Sequence, residues 1–243
     1  SSNNKRYLDT YVARTTGTTL TTVGTWTLSI TNNGTTPITV DGWLYYTNSK
    51  FTSTTLSITG GDSNYLIGSP GDAKTAITTA SYAGKLTWYS NNTGTPGGYY
   101  NTGATKTVDG LSTYSSFGPL ADGSQKPEIA ATGEAVVSAL SSGVLAANSS
   151  SNVDGTYYQV MSGTSMATPV VTGAVALLLQ AKPTANYTEI KNALISNAQK
   201  DAGTTNSIPD FKWGYGKLDV YQALTSLMGN SKKRKAYLNE TIP

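Results

Sequence analysis

Residues 162–182 read SGTSMATPVVTGAVALLLQAK. From Ala167 to Leu179 apolar side chains recur on nearly every side of a helical wheel, which predicts a helix running through the middle of a domain rather than across its surface. Gly163 is expected to permit a tight turn that a bulkier residue would crowd. Ser165 then stands at the start of the helix, where backbone N–H groups lack intrahelical partners and the helix dipole is positive. A hydroxyl there sits beside ready-made donors for an oxyanion. The same residue also suits a plain N-cap with no chemistry, and the stretch alone leaves both readings open. Pro169 falls near the first turn, where its missing N–H costs little.

Outward from this stretch, the composition sets bounds. The 243 residues suffice for one large domain or two smaller ones. Charged residues make up 13%, about half the usual share, and Thr, Ser, Asn and Gly take their place, as in extracellular β-rich proteins. There is no cysteine, which excludes disulfides and thiolate metal sites. The net charge is only +3, and much of it comes from KKRK at 232–235. That run reads as a solvated tail rather than a nucleic-acid site. No apolar stretch reads as a membrane span and no signal peptide begins the chain, so SSNNKRYLDTY is expected to be a processed start.

The character changes along the chain. GTWTLSITNNG (24–34) and PITVDGWLYY (37–46) alternate, with Leu28, Ile30, Ile38 and Val40 marking apolar faces and NNG a turn. These features predict a β-hairpin, part of a β-sandwich or jelly-roll-like segment over residues 1–60, since one hairpin is too small to stand alone. Trp43, Tyr45 and Tyr46 fit core filling better than a carbohydrate face. Over 61–230 short buried strands interleave with helices. The run Ala73–Ala80, KPEIAATG (126–133) and AVVSAL (135–140) read as strands. YTEIKNALISNAQK (187–200) reads as an amphipathic helix capped by Thr188. The pattern predicts an α/β domain with a mainly parallel sheet and helices on both faces, followed by a basic tail over 231–243.

A serine hydroxyl is a poor nucleophile unless a neighbouring base, most often an imidazole, takes its proton. The sequence contains no histidine.

Four stretches, in order, carry a resemblance. GTSMATPVVTGAVALLLQAKP (163–183) resembles the active-serine segment of subtilisin-like serine peptidases, the subtilases, with their G-T-S-M-A-x-P-x-V-x-G pattern. YSSFGPLADGSQKPEIAATG (114–133) is similar to the family's S-S-x-G-P…K-P-D-I-x-A-P-G stretch. IGSPGDAKTAITTASY (67–82) is similar to the turn and strand bordering its substrate pocket, and WGYGKLDVYQAL (213–224) to its closing helix. Glu128 stands for the usual Asp, Thr132 for the Pro of A-P-G, and Val170 for a noncatalytic His of many relatives.

The resemblance implies a serine endopeptidase acting on proteins or peptides, with Ser165 as nucleophile, its N–H as an oxyanion donor, and Thr164 and Gly163 completing the turn. Gly68, Ser69 and Pro70 would shape one wall of the substrate pocket. Family order is Asp, His, oxyanion Asn, Ser, and nothing in this sequence matches the first three. The chain is therefore expected to be the C-terminal part of a secreted subtilase, cut within an inserted β-sandwich by autoproteolysis or another protease. Its partner would be an N-terminal fragment carrying Asp and His. A non-catalytic relative, or a serine-carboxyl peptidase using Glu and Asp, are the alternatives. No cofactor is required. Subtilases often bind structural calcium, but Asp62, Asp72 and Asp109 are isolated loop acids and no metal site is assigned. The basic tail has no apolar periodicity to bury, so deleting residues 231–243 is expected to change unfolding free energy by less than about 1 kcal/mol. A thermal melt of the truncated protein checks this.

Overall fold

Two short strands aligned in parallel form the centre of the fold. In the computed structural model β1 (Thr79–Ala83) pairs in parallel with β4 (Ile129–Glu134), from Thr79 opposite Ile129 to Tyr82 opposite Thr132. The structure describes residues 27–38, 40, 42, 61–90, 98–101, 107–141, 151–154, 157–204 and 208–229. The chain divides into two compact units, Ser1–Thr59 and Gly60–Pro243.

In the first unit the described residues form no strand. Asn32 makes the expected bend, its Oδ1 accepting the Gly34 N–H at 2.9 Å and its Nδ2 donating to the Thr36 carbonyl at 2.7 Å. Leu28, Ile30, Ile38 and Val40 are all exposed, so the predicted hairpin strands are not found over 27–38. Alternation supplies an apolar face but no surface to bury it against, and a lone ribbon is marginal. Trp26, Trp43, Tyr45, Tyr46 and the KKRK run lie outside the described residues.

The second unit contains the remaining elements: β2 (Thr87–Ser90), β3 (Gly98–Asn101), β5 (Val136–Ala139), β6 (Asn152–Asp154), β7 (Tyr158–Met161), α1 (Thr164–Ala181), α2 (Tyr187–Ser196) and α3 (Val220–Leu227). Among the described residues, parallel pairing is confined to β1, β4 and a bridge from Ala130 to Lys217, where Leu218 N–H reaches the Ala130 carbonyl at 2.8 Å. β2 with β3, and β7 with both β5 and β6, pair antiparallel. The class is α/β, but among the described residues the antiparallel pairs outnumber the parallel one.

The expected strand at Ala73–Ala80 starts later, at Thr79. The preceding stretch is a series of turns, with Ala73 N–H on the Pro70 carbonyl and Ala76 N–H on that of Ala73. Asn186, not Thr188, caps α2. Its side chain accepts the Glu189 N–H while the Glu189 carboxylate accepts the Asn186 N–H, a reciprocal capping box. A small polar residue followed three places later by Glu was the overlooked signal.

The core joins Ile129 and Ala131 of β4 to Ala167, Val171, Ala174 and Leu178 of α1, Ile190, Ala193 and Leu194 of α2, and Ala223 of α3. All three helices thus gather over one face of the strand pair. Trp213, Tyr82 and Leu111 cover Ala80 and Ala130, so helices on both faces are not found among the described residues. Nor is α1 buried all round. Only Ala167, Val171, Ala174 and Leu178 are buried, whereas Val170, Leu177 and Leu179 are exposed. By length and composition alone α1 is long and apolar enough to cross a membrane, though no apolar stretch reads that way in the sequence. Its packing against β4 is that of a core helix.

Two buried cations anchor the frame. Glu128, enclosed just before β4, accepts from Lys126 Nζ at 3.0 Å, Lys191 Nζ at 2.8 Å and the Thr78 N–H at 2.9 Å. Burial works against the Lys191 charge, but the hydrogen bond and charge of Glu128 outweigh it and hold the ammonium above the usual lysine range. Lys217 Nζ lies 4.7 Å from the Tyr82 ring and 5.4 Å from that of Trp213, and donates to Asp201 at 3.0 Å. Partial burial opposes ionisation of Asp201, yet Lys217 and the N–H groups of Gly203 and Thr204 keep its carboxyl below the ordinary range.

Breaking a buried charge network by removing one member typically costs about 3–5 kcal/mol, because the remaining charges lose their partner. Glu128→Gln is therefore expected to lower stability by about 3 kcal/mol in urea unfolding. A loss below about 1 kcal/mol would contradict this reading of the site.

Candidate active site

Strand β7 leads through Ser162 and Gly163 into α1, and the end of β4 determines where that junction lies. The Gly163 N–H donates to the Gly133 carbonyl at 2.8 Å. One residue away, Ser162 Oγ accepts the Ala135 N–H at 3.0 Å. Ala135 itself is buried with φ 53°, a left-handed conformation that lets the chain leave β4 and enter β5.

The turn depends on two glycines, of which the sequence singled out one. Gly163 has φ 158°, a backbone conformation that residues with a side chain rarely adopt, although the space around it is open, a Cβ there meeting nothing nearer than 3.6 Å. At Gly133 a Cβ would lie 2.4 Å from Ser81 Oγ, 2.7 Å from the Gly163 carbonyl and 3.0 Å from Ala167 Cβ. The absence of a side chain at Gly133 lets β4 approach the start of α1 this closely.

Gly163 caps α1, Thr164 is its first residue and Ser165 its second. The Gly163 carbonyl accepts the N–H of Met166 at 2.9 Å and of Ala167 at 3.4 Å, while those of Thr164 and Ser165 have no backbone acceptor among the described residues. Ser165 is exposed, so its hydroxyl and its unpaired N–H are both open to an incoming group. That pairing suits nucleophilic attack with electrostatic stabilisation of the resulting oxyanion. Pro169 lies in the second turn, inside α1 rather than at its first position, and has no N–H to give to the Ser165 carbonyl.

Among the described residues no base accompanies the serine. Among the described residues the Ser165 hydroxyl has no hydrogen-bond partner, carboxylate or otherwise. Gly68, Ser69 and Pro70 lie on an exposed turn and are not hydrogen-bonded to the 163–165 segment. Asp62 holds Asn64 and Asp109 faces Lys217 at 3.4 Å. No group of three acidic or histidine side chains able to hold a metal occurs among the described residues.

Sequence reasoning did not find Tyr114, whose hydroxyl donates to the Gly133 carbonyl at 3.0 Å. Its position just before the S-S-x-G-P stretch gives no such signal, because the contact joins residues 19 apart. Gly133→Ala is expected to displace the turn, costing about 2 kcal/mol or more through overpacking and removing most reactivity at Ser165. Urea unfolding together with labelling of Ser165 checks both effects.

A family model described as the subtilase family matches residues 28–216. Serine protease AprX of Bacillus subtilis (strain 168) is 39% identical over 102 residues, covering 41% of this chain and 23% of that protein. Subtilisin-like protease SBT3.9 of Arabidopsis thaliana is 42% identical over 103 residues, covering 39% of this chain and 13% of its own length. The chain thus spans less than a quarter of either curated relative. Among solved structures, fervidolysin from Fervidobacterium pennivorans, a keratinolytic enzyme related to subtilisin, superposes with a TM-score of 0.43 at 25% identity over 65% of this chain and 20% of that one. With the family model covering most of its length, the chain belongs to the subtilase family.

Proposed function

We propose that this chain is the nucleophile-bearing part of a secreted serine endopeptidase. In this reading Ser165 Oγ attacks the scissile carbonyl of a protein or peptide and forms an acyl-enzyme that water then hydrolyses. A histidine takes the hydroxyl proton and returns it to the leaving amine, oriented by an aspartate. The oxyanion is held by the Ser165 N–H and by an asparagine side chain. Histidine, aspartate and asparagine all come from a separate N-terminal chain, produced by a cut within an inserted β-sandwich to which residues 1–60 belong. Gly68, Ser69 and Pro70 form one wall of the substrate pocket.

The observation that carries this reading is the pairing of a reactive geometry at Ser165 with no base in reach among the described residues. The N-terminus of α1 offers hydroxyl and oxyanion donor together, while the sequence has no histidine. The exposed face of α1 supports the partner. Val170 and Leu177, seven residues apart, project from one flank of it and Leu179 from the other, and such exposed apolar side chains call for a cover. A groove of about 140 Å³ between β1 and α1, lined by Ile77, Thr79, Thr168, Val171, Thr172 and Val175, adds to this support. Within it Thr79 Oγ1 is buried without a hydrogen-bond partner, a deficit that an added chain would relieve.

In the assembled enzyme, a serine-directed fluorophosphonate is expected to label Ser165, and Ser165→Ala to abolish labelling and lower kcat on the order of 10⁶-fold. Peptidase activity near wild type in the alanine variant would contradict the assignment.

A further inference from the structure

A line of hydroxyls runs from the interior of the fold to the nucleophile turn. Ser81 Oγ and Ser112 Oγ lie 2.9 Å apart, both fully enclosed. Ser81 Oγ in turn approaches the Tyr114 hydroxyl at 3.4 Å, and that hydroxyl donates to the Gly133 carbonyl at 3.0 Å. One direction satisfies every member. Ser112 donates to Ser81, Ser81 to Tyr114 and Tyr114 to Gly133, each middle hydroxyl accepting one proton and giving one. The Ser81 N–H, donating to Ser115 Oγ at 3.1 Å, ties the same strand to the loop that carries Tyr114. The line ends on the carbonyl that also receives the Gly163 N–H at 2.8 Å.

We propose that Tyr114 is a positioning residue for the reaction at Ser165, its hydroxyl fixing the plane of the Gly133 carbonyl and through it the turn at Gly163. The inference rests on the reading of Ser165 as nucleophile. A carbonyl oxygen has two lone pairs, and at Gly133 the two donors come from different directions in the fold, one from the turn and one from the loop after β3. With both in place the peptide plane is held from two sides. Without the Tyr114 donor the Gly163 bond and the Ser162–Ala135 tie remain, but the carbonyl plane loses one constraint, and the turn, with Ser165 two residues on, is free to shift slightly. Small misplacements of a nucleophile are costly in rate even where stability barely changes. Tyr114 has no hydrogen bond to Ser165, so it acts on the rate constant and not on substrate affinity.

The test compares Tyr114→Phe, which keeps the ring and removes only the hydroxyl, with wild type in the assembled enzyme. The control is Tyr99→Phe, a largely exposed position on β3. Loss of one neutral hydrogen bond predicts a roughly 3- to 10-fold fall in kcat and in the maximal rate of fluorophosphonate labelling at Ser165. KM, the half-saturating probe concentration and the melting temperature should hold, and the control should match wild type. Amide exchange at Gly163, read by NMR, should quicken by a similar factor in Tyr114→Phe. Equal rates and equal Gly163 exchange in the two proteins would overturn the proposal. So would a fall in kcat/KM caused wholly by KM, which would make Tyr114 a substrate contact. Failure of the wild-type enzyme to label at Ser165 would instead overturn the underlying reading of the nucleophile, and this proposal with it.

Discussion

The approach of β4 to the start of α1 at Gly133 governs the rest. The strand carbonyl there holds the nucleophile turn through Gly163, and only a residue without Cβ leaves room for the Gly163 carbonyl and Ala167. Everything near the site either supports that approach or depends on it. Ser162 and Ala135 repeat the tie one residue along. On the far side, Ile129 and Ala131 of β4 pack against the buried stripe of α1, so the helix cannot slide without losing core contacts.

The charge network serves the same end. Glu128 lies directly before β4 and joins Lys126, Lys191 of α2 and the backbone of Thr78 just before β1. It therefore fixes the strand pair and the second helix at a single point. The glutamate reaches both ammonium groups and the backbone N–H together. A residue that in sequence looks unremarkable is a three-way junction in the fold. At the other edge, Lys217 between Tyr82 and Trp213 holds the segment that extends the parallel pairing at Ala130.

What the sequence disclosed follows from how local each signal is. The helix at 164–181 and the serine at its N-terminus were legible because periodicity, glycine and motif lie within 20 residues. The strand at KPEIAATG was legible for the same reason. The start of β1 was not, because a small-residue run fits turns as well as a buried strand, and only pairing with β4 decides where extension begins. The hairpin expected over 24–46 shows no strand in its described residues 27–38, since alternation reports an apolar face but not whether anything covers it. The importance of Gly133 beside Gly163, and the hydrogen bond of Tyr114 to it, arise from contacts between distant segments that no local pattern encodes.

The central claim is that Ser165 stands ready but lacks its base within these 243 residues. The most direct test is the rate at which a fluorophosphonate labels Ser165 in this chain alone, and again after co-folding with the proposed N-terminal chain that would carry the histidine. The account predicts labelling no faster than that of an ordinary exposed serine in the isolated chain, rising by several orders of magnitude once the two are joined. Labelling of the isolated chain, monomeric and folded, at the rate of the joined enzyme would contradict it and point to activation by a carboxylate.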